Sequence, residues 1–526
     1  MTEIQEIALV SIVIVIVIGI FSQWLAWRIQ WPSIVIMSVA GLIIGPMMGL
    51  INPKEALGEL YSPLISLSVA VILFEGSTSL DVRELKGISK SVLRIITFGV
   101  FLAWIGGSFA AHFIAGLSLE VAFIIGGLFV VTGPTVIIPL LRQAKLKPRT
   151  AAVLKWEGIV VDPVGPLLAL FAYEIIKFYI YPNFHFVDFI QFFIGAILAG
   201  FVGYIMGLLI SLLVSKGLFP EYLKSPIILS FVLLCFAIAE VMMLETGMLA
   251  VTVMGLTLAR TKNYAHSIGS IGHVVENISV FLTSTVFILL TASLTRETIL
   301  TIFSWPIITF VLAMLFLVRP LSIWISTIGT ELTHQEKTLI GWIAPRGIVA
   351  LTVSGYFAEL LINDGYLGAS ILTALTFALV FITVCAHGFT IGPLARYLGL
   401  ASTEKPGVLI VGASSFAIAF ANHLNNLKIP VLISDKSEDR IKQANHLGIK
   451  TYHGEILAEH SEYEVDLTPY DTILAMTGDA AYNALVCQTY APEFGYNNTY
   501  AVSVRPNDKT VQVSLKAHIL FGKNES

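Results

Sequence analysis

Apolar stretches closed by short polar or basic loops follow one another from residue 7 to residue 397. A helix needs about 20 apolar residues to cross about 30 Å of hydrocarbon. About thirteen segments approach that length, at roughly 7–27, 32–51, 60–80, 91–114, 119–141, 152–176, 187–214, 225–243, 246–260, 270–293, 298–325, 337–361 and 367–397. The ninth is short, and the stretch 225–260 admits another division. At Ala401-Ser-Thr-Glu-Lys-Pro406 the pattern changes, which predicts a linker over 401–406. Beyond it, strands are predicted at Gly407–Gly412, Pro430–Ser434, Lys450–His453 and Thr472–Met476, with helices at 416–427 and near 437–446. Strands alternating with helices point to a parallel doubly wound sheet. The expected fold is a polytopic α-helical membrane protein of about 13 transmembrane helices over 1–400, followed by a C-terminal α/β Rossmann-like domain over 407–526.

Composition agrees with that division. Of 526 residues, 56% are hydrophobic and 13% charged, against about a quarter charged in a soluble domain. The net charge of −4 gives no footing for a nucleic-acid partner. Cys235, Cys385 and Cys487 are scattered and form no CxxC pair, so neither a disulfide framework nor a zinc site is indicated. The N-terminus lacks a basic n-region and an A-x-A site, so 7–27 reads as a retained first span rather than a signal peptide.

Loop charge predicts the orientation. With the N-terminus outside, Arg83, Lys86, Lys90 and Arg94, then Arg142, Lys145, Lys147 and Arg149, and later Arg260 and Lys262 share one side. The opposite side keeps little beyond Lys54, Lys177 and Arg296. Cytoplasmic loops carry the Lys/Arg excess. The expected setting is therefore a bacterial inner membrane, with the N-terminus outside and the C-terminal domain in the cytoplasm.

Ionisable groups inside spans cost at least ~2.5 kcal/mol each, which makes each a functional candidate. The sixth span holds the densest set, Lys155-Trp-Glu157-Gly-Ile-Val-Val-Asp162-Pro163-Val-Gly-Pro166. Pro163 frees a backbone carbonyl four residues earlier, and Gly158 admits a neighbouring backbone. A carboxylate beside free oxygens suits a hard monovalent cation, and desolvation brings proton exchange within reach of neutral pH. Asp162, holding either a proton or a cation but never both, would be the least machinery antiport requires. The plain alternative is a structural pair with Lys155, which lies two turns away. Glu157 precedes Asp162 by five residues, about 140° around the helix, so it needs another partner. Arg346 is the expected one, in a buried structural bridge.

The fifth span is interrupted at Thr132-Gly133-Pro134 and the twelfth at Pro345-Arg346-Gly347. Breaks at corresponding places in two halves point to inverted repeats with crossed broken helices. Segments 1–6 and 8–13 would be the repeats and segment 7 the connector.

At these residues the membrane part resembles the sodium/proton exchanger branch of the monovalent cation/proton antiporter superfamily. The likeness includes Gly41-Leu-Ile-Ile-Gly45-Pro46, Leu73-Phe-Glu75-Gly76, Thr132-x-Pro134, Glu157-Gly158 with Asp162, Glu245-Thr-Gly247, Arg346-Gly347 and His387-Gly388. It implies that Asp162 binds cation and proton, that Thr132 helps coordinate through oxygen, and that Glu157 pairs with Arg346. It also implies a homodimer with an elevator-like moving core. Two positions depart from the family pattern: Val161 stands where Asn is common, and Gly133 where Asp is common. The site thus loses an amide and a carboxylate, which favours one-for-one, electroneutral exchange and leaves Na⁺ or K⁺ open.

In the C-terminal part, Gly412-Ala-Ser414-Ser415 occupies the place of a phosphate-binding loop between strand and helix, and Asp435 ends the second strand near the ribose position. Ser414 replaces the glycine that lets backbone approach a pyrophosphate, but serines at a helix N-terminus can still bind phosphate. With Thr477-Gly478-Asp479 and Asn483, this part resembles the N-terminal lobe of the regulator-of-potassium-conductance family. That likeness implies a regulatory nucleotide (NAD(H), AMP or ATP) held by Gly412, Ser414, Ser415, Asp435 and Thr477, with no catalysis. The alternative is a sheet that has lost its ligand. The sequence stops at Ser526, so no second effector-binding lobe is expected.

Two other function classes compete. A nucleotide-gated cation channel lacks support because no TVGYG-type filter lies between two spans. A tethered NAD-dependent oxidoreductase lacks a catalytic His/Lys pair and a substrate domain.

Overall fold

In a computed structural model, residues 3–29, 31–80, 85, 87–144, 146–180, 186–261, 269–401, 407–458, 461, 465, 467, 469–502 and 518–520 are described. Arg83, Lys86, Lys145 and Lys262 of the basic loops, and 402–406 of the expected linker, lie outside them. The chain divides into two compact units, Met1–Leu400 and Ala401–Ser526.

In the first unit, nine helices among the described residues are long and apolar enough to cross a membrane. Four shorter apolar helices, Ser33–Met47, Leu119–Leu128, Gly247–Arg260 and Val349–Asn363, bring the segments to thirteen. Each answers to one expected span. Two of the short ones are halves of the interrupted fifth and twelfth spans, and the start of the ninth is capped by a carboxylate. Glu240 accepts from the backbone N–H groups of Glu245 (2.9 Å) and Gly247 (3.0 Å), satisfying donors that a helix start otherwise leaves free.

Small residues set the closest helix contacts. A Cβ on Gly41 would fall on the Thr291 hydroxyl, and one on Gly45 on the Ala292 backbone, so Gly41-Leu-Ile-Ile-Gly45 is the seam between spans two and ten. Gly203 and Gly207 of the seventh span press likewise on Ala250 and Met254 of the ninth. Without a hydrophobic drive between helices in lipid, such small-xxx-small faces supply close van der Waals packing.

The second unit is a six-stranded parallel sheet. Its strands are β1 (Gly407–Val411), β2 (Val431–Asp435), β3 (Lys450–His453), β4 (Tyr470–Ala475), β5 (Thr499–Val502) and β6 (His518–Leu520). They lie in the order β3-β2-β1-β4-β5-β6. Val408 pairs with Val431 on one side of β1 and with Thr472 on the other. The order reverses between β1 and β4, which is where ligands bind in open α/β sheets.

Candidate ion site at the crossing of two broken helices

The fifth span consists of helix Leu119–Leu128 and helix Pro134–Ala144, and the twelfth of His334–Trp342 and Ile348–Asn363. Pro134 and Pro345 cannot donate, so the helical ladder fails at each. The two unwound stretches cross. Gly133 N donates to Pro345 O at 3.1 Å, and the Arg346 Nη1 donates to Val131 O at 2.5 Å. Arg346 N in turn donates to the Thr383 hydroxyl of the last span at 3.2 Å. A Cβ on Gly133 would land on the Gly347 Cα, so the crossing is glycine on glycine, backbone against backbone. Gly133 is thus the residue that lets the two stretches touch.

The sixth span, Pro148–Ile180, passes this crossing unbroken despite Pro163 and Pro166. Gly158, Asp162 and Gly165 are spaced i, i+4, i+7 and share one face. A Cβ on Gly158 would lie 3.7 Å from Thr132 O, and one on Gly165 would strike Val131. The break of the fifth span therefore runs along the face that carries Asp162. Asp162 is 1% exposed, and its Oδ1 has no hydrogen-bond partner in the protein. Thr132 is 2% exposed, and its hydroxyl is likewise unpartnered. Buried polar atoms are nearly always satisfied. Two oxygens left open on facing elements are an arrangement that a small cation or a proton completes.

Glu157 corrects one expectation. Its carboxylate is held in a bidentate pair by Arg319 of the eleventh span, through Nη1 to Oε1 and Nη2 to Oε2 at 2.8 Å, and not by Arg346. Arg319 Nη2 also donates to Ile340 O (3.0 Å) and Ile343 O (3.2 Å), the carbonyls closing the first half of the twelfth span. The physical reason is division of labour. Arg346 sits inside the unwound stretch, and its guanidinium serves the free Val131 carbonyl. Arg319 stands on a continuous helix just after a π-turn, Met314–Val318, that shifts the register and carries the side chain inwards. Lys155 donates to Ser79 O at 2.7 Å.

Two cavities border the second half-helix of the fifth span. One of about 540 Å³ has Gln23, Glu75, Glu276 and Ser279 on its walls and reaches Gly76 and Pro134, the first residue of the second half-helix. The other, about 600 Å³, shares Glu75 and is bordered by Ser79, Arg149 and Lys155. Glu75 accepts from the Ser279 hydroxyl at 3.5 Å.

In the second unit, a cavity of about 330 Å³ at the sheet's switch point gathers Gly412, Asp435 and Thr477 with Lys436, Arg440 and Asp479. Gly412 has φ +106°, and a Cβ there would strike Met476 and Thr477. Asp435 accepts from Ala413 N (2.6 Å) and Ser437 N (2.8 Å), with Arg440 at 3.6 Å. Ser414 and Ser415 do not line this cavity; the Ser414 hydroxyl caps its own helix by accepting from Ala417 N at 3.1 Å. Thr477 is fixed by Asn483 through its hydroxyl (2.6 Å) and its N–H (3.0 Å). Of the five expected nucleotide residues, three are brought to one cavity.

Residues 10–397 match the family model described as "Sodium/hydrogen exchanger, transmembrane". The chain belongs to this family. Residues 408–521 match the TrkA-N domain. Similar exchangers include Na(+)/H(+) antiporter 1 of Methanocaldococcus jannaschii, 25% identical over 69% of this chain and 86% of that one. Na(+)/H(+) antiporter NhaH of Halobacillus aidingensis is 24% identical over 74% and 98%. K(+)/H(+) antiporter NhaP of Alkalimonas amylolytica is 23% identical over 77% and 69%. Among solved structures, the sodium proton antiporter MjNhaP1 from M. jannaschii at pH 8 superposes with a TM-score of 0.67 at 22% identity, covering 75% of this chain and 99% of that one. The membrane unit thus has the exchanger fold, and the chain is a multi-pass membrane protein.

For this exchanger, sequence reasoning paired Glu157 with Arg346 and missed Arg319 as its partner. The available signal was its position, a lone arginine before Pro320 inside the apolar run 305–326. A buried arginine without a carboxylate on its own helix must find one elsewhere.

Proposed function

We propose that the protein is a secondary antiporter that exchanges Na⁺ or K⁺ for H⁺, one for one, with Asp162 as the shared carrier. The observation that carries this reading is the open Asp162 Oδ1, buried on the face that the broken fifth span crosses. Thr132 adds a second open oxygen, and the carbonyls freed by the break supply more of the hard ligands that an alkali cation takes. Loading with either passenger changes the charge of the site by the same amount, which supports electroneutral exchange. Glu157 does not compete, because Arg319 occupies both of its oxygens. The relatives named for Na⁺/H⁺ and for K⁺/H⁺ exchange support the substrate class and leave both cations in play.

The setting proposed is an inner membrane, with the N-terminus outside and the basic loops and C-terminal domain in the cytoplasm. Arg149 and Lys155 border the second cavity, which shares Glu75 with the first, so in this orientation both would admit cytoplasmic water and cations. Family likeness supports a homodimer. The C-terminal unit is proposed to bind a regulatory nucleotide, NAD(H), AMP or ATP, on Gly412, Asp435 and Thr477, with Ser414 and Ser415 at the adjoining helix start. Asp435 at the close of β2 supports a ribose contact, and Lys436 and Arg440 of the same cavity would suit phosphate.

The test is pH-gradient dequenching in proteoliposomes holding the full chain, with Na⁺, K⁺ and Li⁺ titrated in turn. Cation addition should collapse a preformed proton gradient without needing a membrane potential. Collapse that depends on potential would exclude electroneutrality, and no collapse with any cation would exclude antiport.

A further inference from the structure

The last span carries a polar side chain that the exchange site does not use. His387 is 0% exposed, and neither ring nitrogen has a hydrogen-bond partner among the described residues. Thr383 and His387 are spaced i, i+4, and Thr390 follows three residues later, so all three share a face. Thr383 accepts from Arg346 N at 3.2 Å, and Thr390 accepts from Trp342 Nε1 at 2.8 Å. His387 stands between these contacts, edge-on to the Trp342 ring at 5.6 Å. That face of the last span is therefore turned to the break of the twelfth.

The charged groups facing His387 are Arg346 from the break and, more weakly, Arg319 from the eleventh span. On the other side, Gly388 packs against Pro32 and Leu140, which bring no charge. A third positive charge beside two guanidiniums in a dry interior is costly, so the ring serves as a neutral imidazole with one donor and one acceptor nitrogen. An acceptor is what this corner lacks. Arg346 spends Nη1 on Val131 O, while its Nε–H has no partner in the protein. An unpaired guanidinium N–H and an unpaired ring nitrogen, both buried and within electrostatic reach, complete one another.

We propose that His387 is a positioning residue of the exchange site, accepting from the Arg346 Nε–H through one water. Held at both ends, Arg346 keeps the Val131 carbonyl in place and so fixes Thr132, the next residue, against the sixth span. The acceptor role belongs to any neutral side chain that can reach the same place. An apolar residue of similar volume leaves the guanidinium free to swing and the fifth-span break free to relax. This inference rests on the antiport reading for its transport readout but not for its contact.

Two measurements on the full chain test it. In proteoliposomes, His387→Leu should raise the apparent KM for the cation about tenfold, the loss of one hydrogen bond to a charged group. The maximal rate should change far less, and His387→Gln, which keeps an acceptor, should stay within about threefold of the parent. Leu and Gln variants with the same KM, whether both normal or both weakened, would overturn the proposal. In detergent, thermal midpoints of His387→Leu, Arg346→Gln and the double variant form a cycle. Coupling requires the double variant to be no less stable than Arg346→Gln alone, and additive losses would refute the contact. If His387→Leu does not assemble, His387→Met takes its place in both. A parent protein that exchanges no cation would remove the antiport reading, and the thermal cycle would then decide His387 alone.

Discussion

The buried pair of Glu157 and Arg319 allows a sharp test. Both side chains are almost fully enclosed, 4% and 8% exposed, and the pair is bidentate. Replacing Arg319 with Met leaves the Glu157 carboxylate buried without a counter-charge, a loss of about 3–5 kcal/mol. The carbonyls of Ile340 and Ile343 lose their donor as well, at about 1 kcal/mol each. At a few degrees per kcal/mol, the thermal midpoint in detergent should fall by on the order of 10 °C. Glu157→Leu alone should cost a similar amount through the stranded guanidinium. The double variant, Glu157→Leu with Arg319→Met, removes both charges and should recover most of the loss, since apolar residues of like volume commonly replace a buried ion pair at little cost. Arg346→Met tested in the same way should show no recovery from Glu157→Leu. Fluorescence-monitored unfolding of the purified variants measures all five midpoints. Recovery with Arg346→Met and none with Arg319→Met would refute the assignment of the pair.

Asp162→Asn should abolish exchange with the thermal midpoint retained, and full activity in that variant would end the carrier role. In the parent, competition for one carboxylate should raise the apparent cation KM by about tenfold per unit of falling pH on the acid side; a KM that ignores pH would mean separate sites. Gly133→Ala places a methyl on Gly347, so about 1–3 kcal/mol of stability should be lost in the same unfolding assay; parental stability would show a looser crossing. Asp435→Ala should remove the thermal shift that AMP, ATP or NADH gives the full chain, and an undiminished shift would place the nucleotide elsewhere.

Most of the membrane fold could be read along the chain because lipid allows so few solutions. About thirteen apolar segments were expected and thirteen are present among the described residues, with the two breaks at Thr132-Gly133-Pro134 and Pro345-Arg346-Gly347. Prolines interrupt the ladder wherever they stand, so local sequence suffices there. Partner choice is different. Helical spacing showed that Glu157 turns away from Asp162, but it could not say which arginine arrives from another span. Arg319 wins through the π-turn that precedes it, and such an added residue per turn leaves no clear mark in composition. The cavity of the second unit was partly legible for a related reason. Gly412, Asp435 and Thr477 stand at the ends of strands that the alternating pattern predicts, whereas the Ser414 hydroxyl caps its own helix, a choice made by side-chain rotation.

The glycine contact at the crossing has a mechanical meaning. Because Gly133 and Gly347 touch through main chain, and Gly133 N is tied to Pro345 O, the two interrupted segments share one rivet. A push on either half is handed to the other without a side chain flexing in between. The two interrupted segments are thereby stiffened as one unit, and the surroundings of Asp162 keep their shape when either half is pushed.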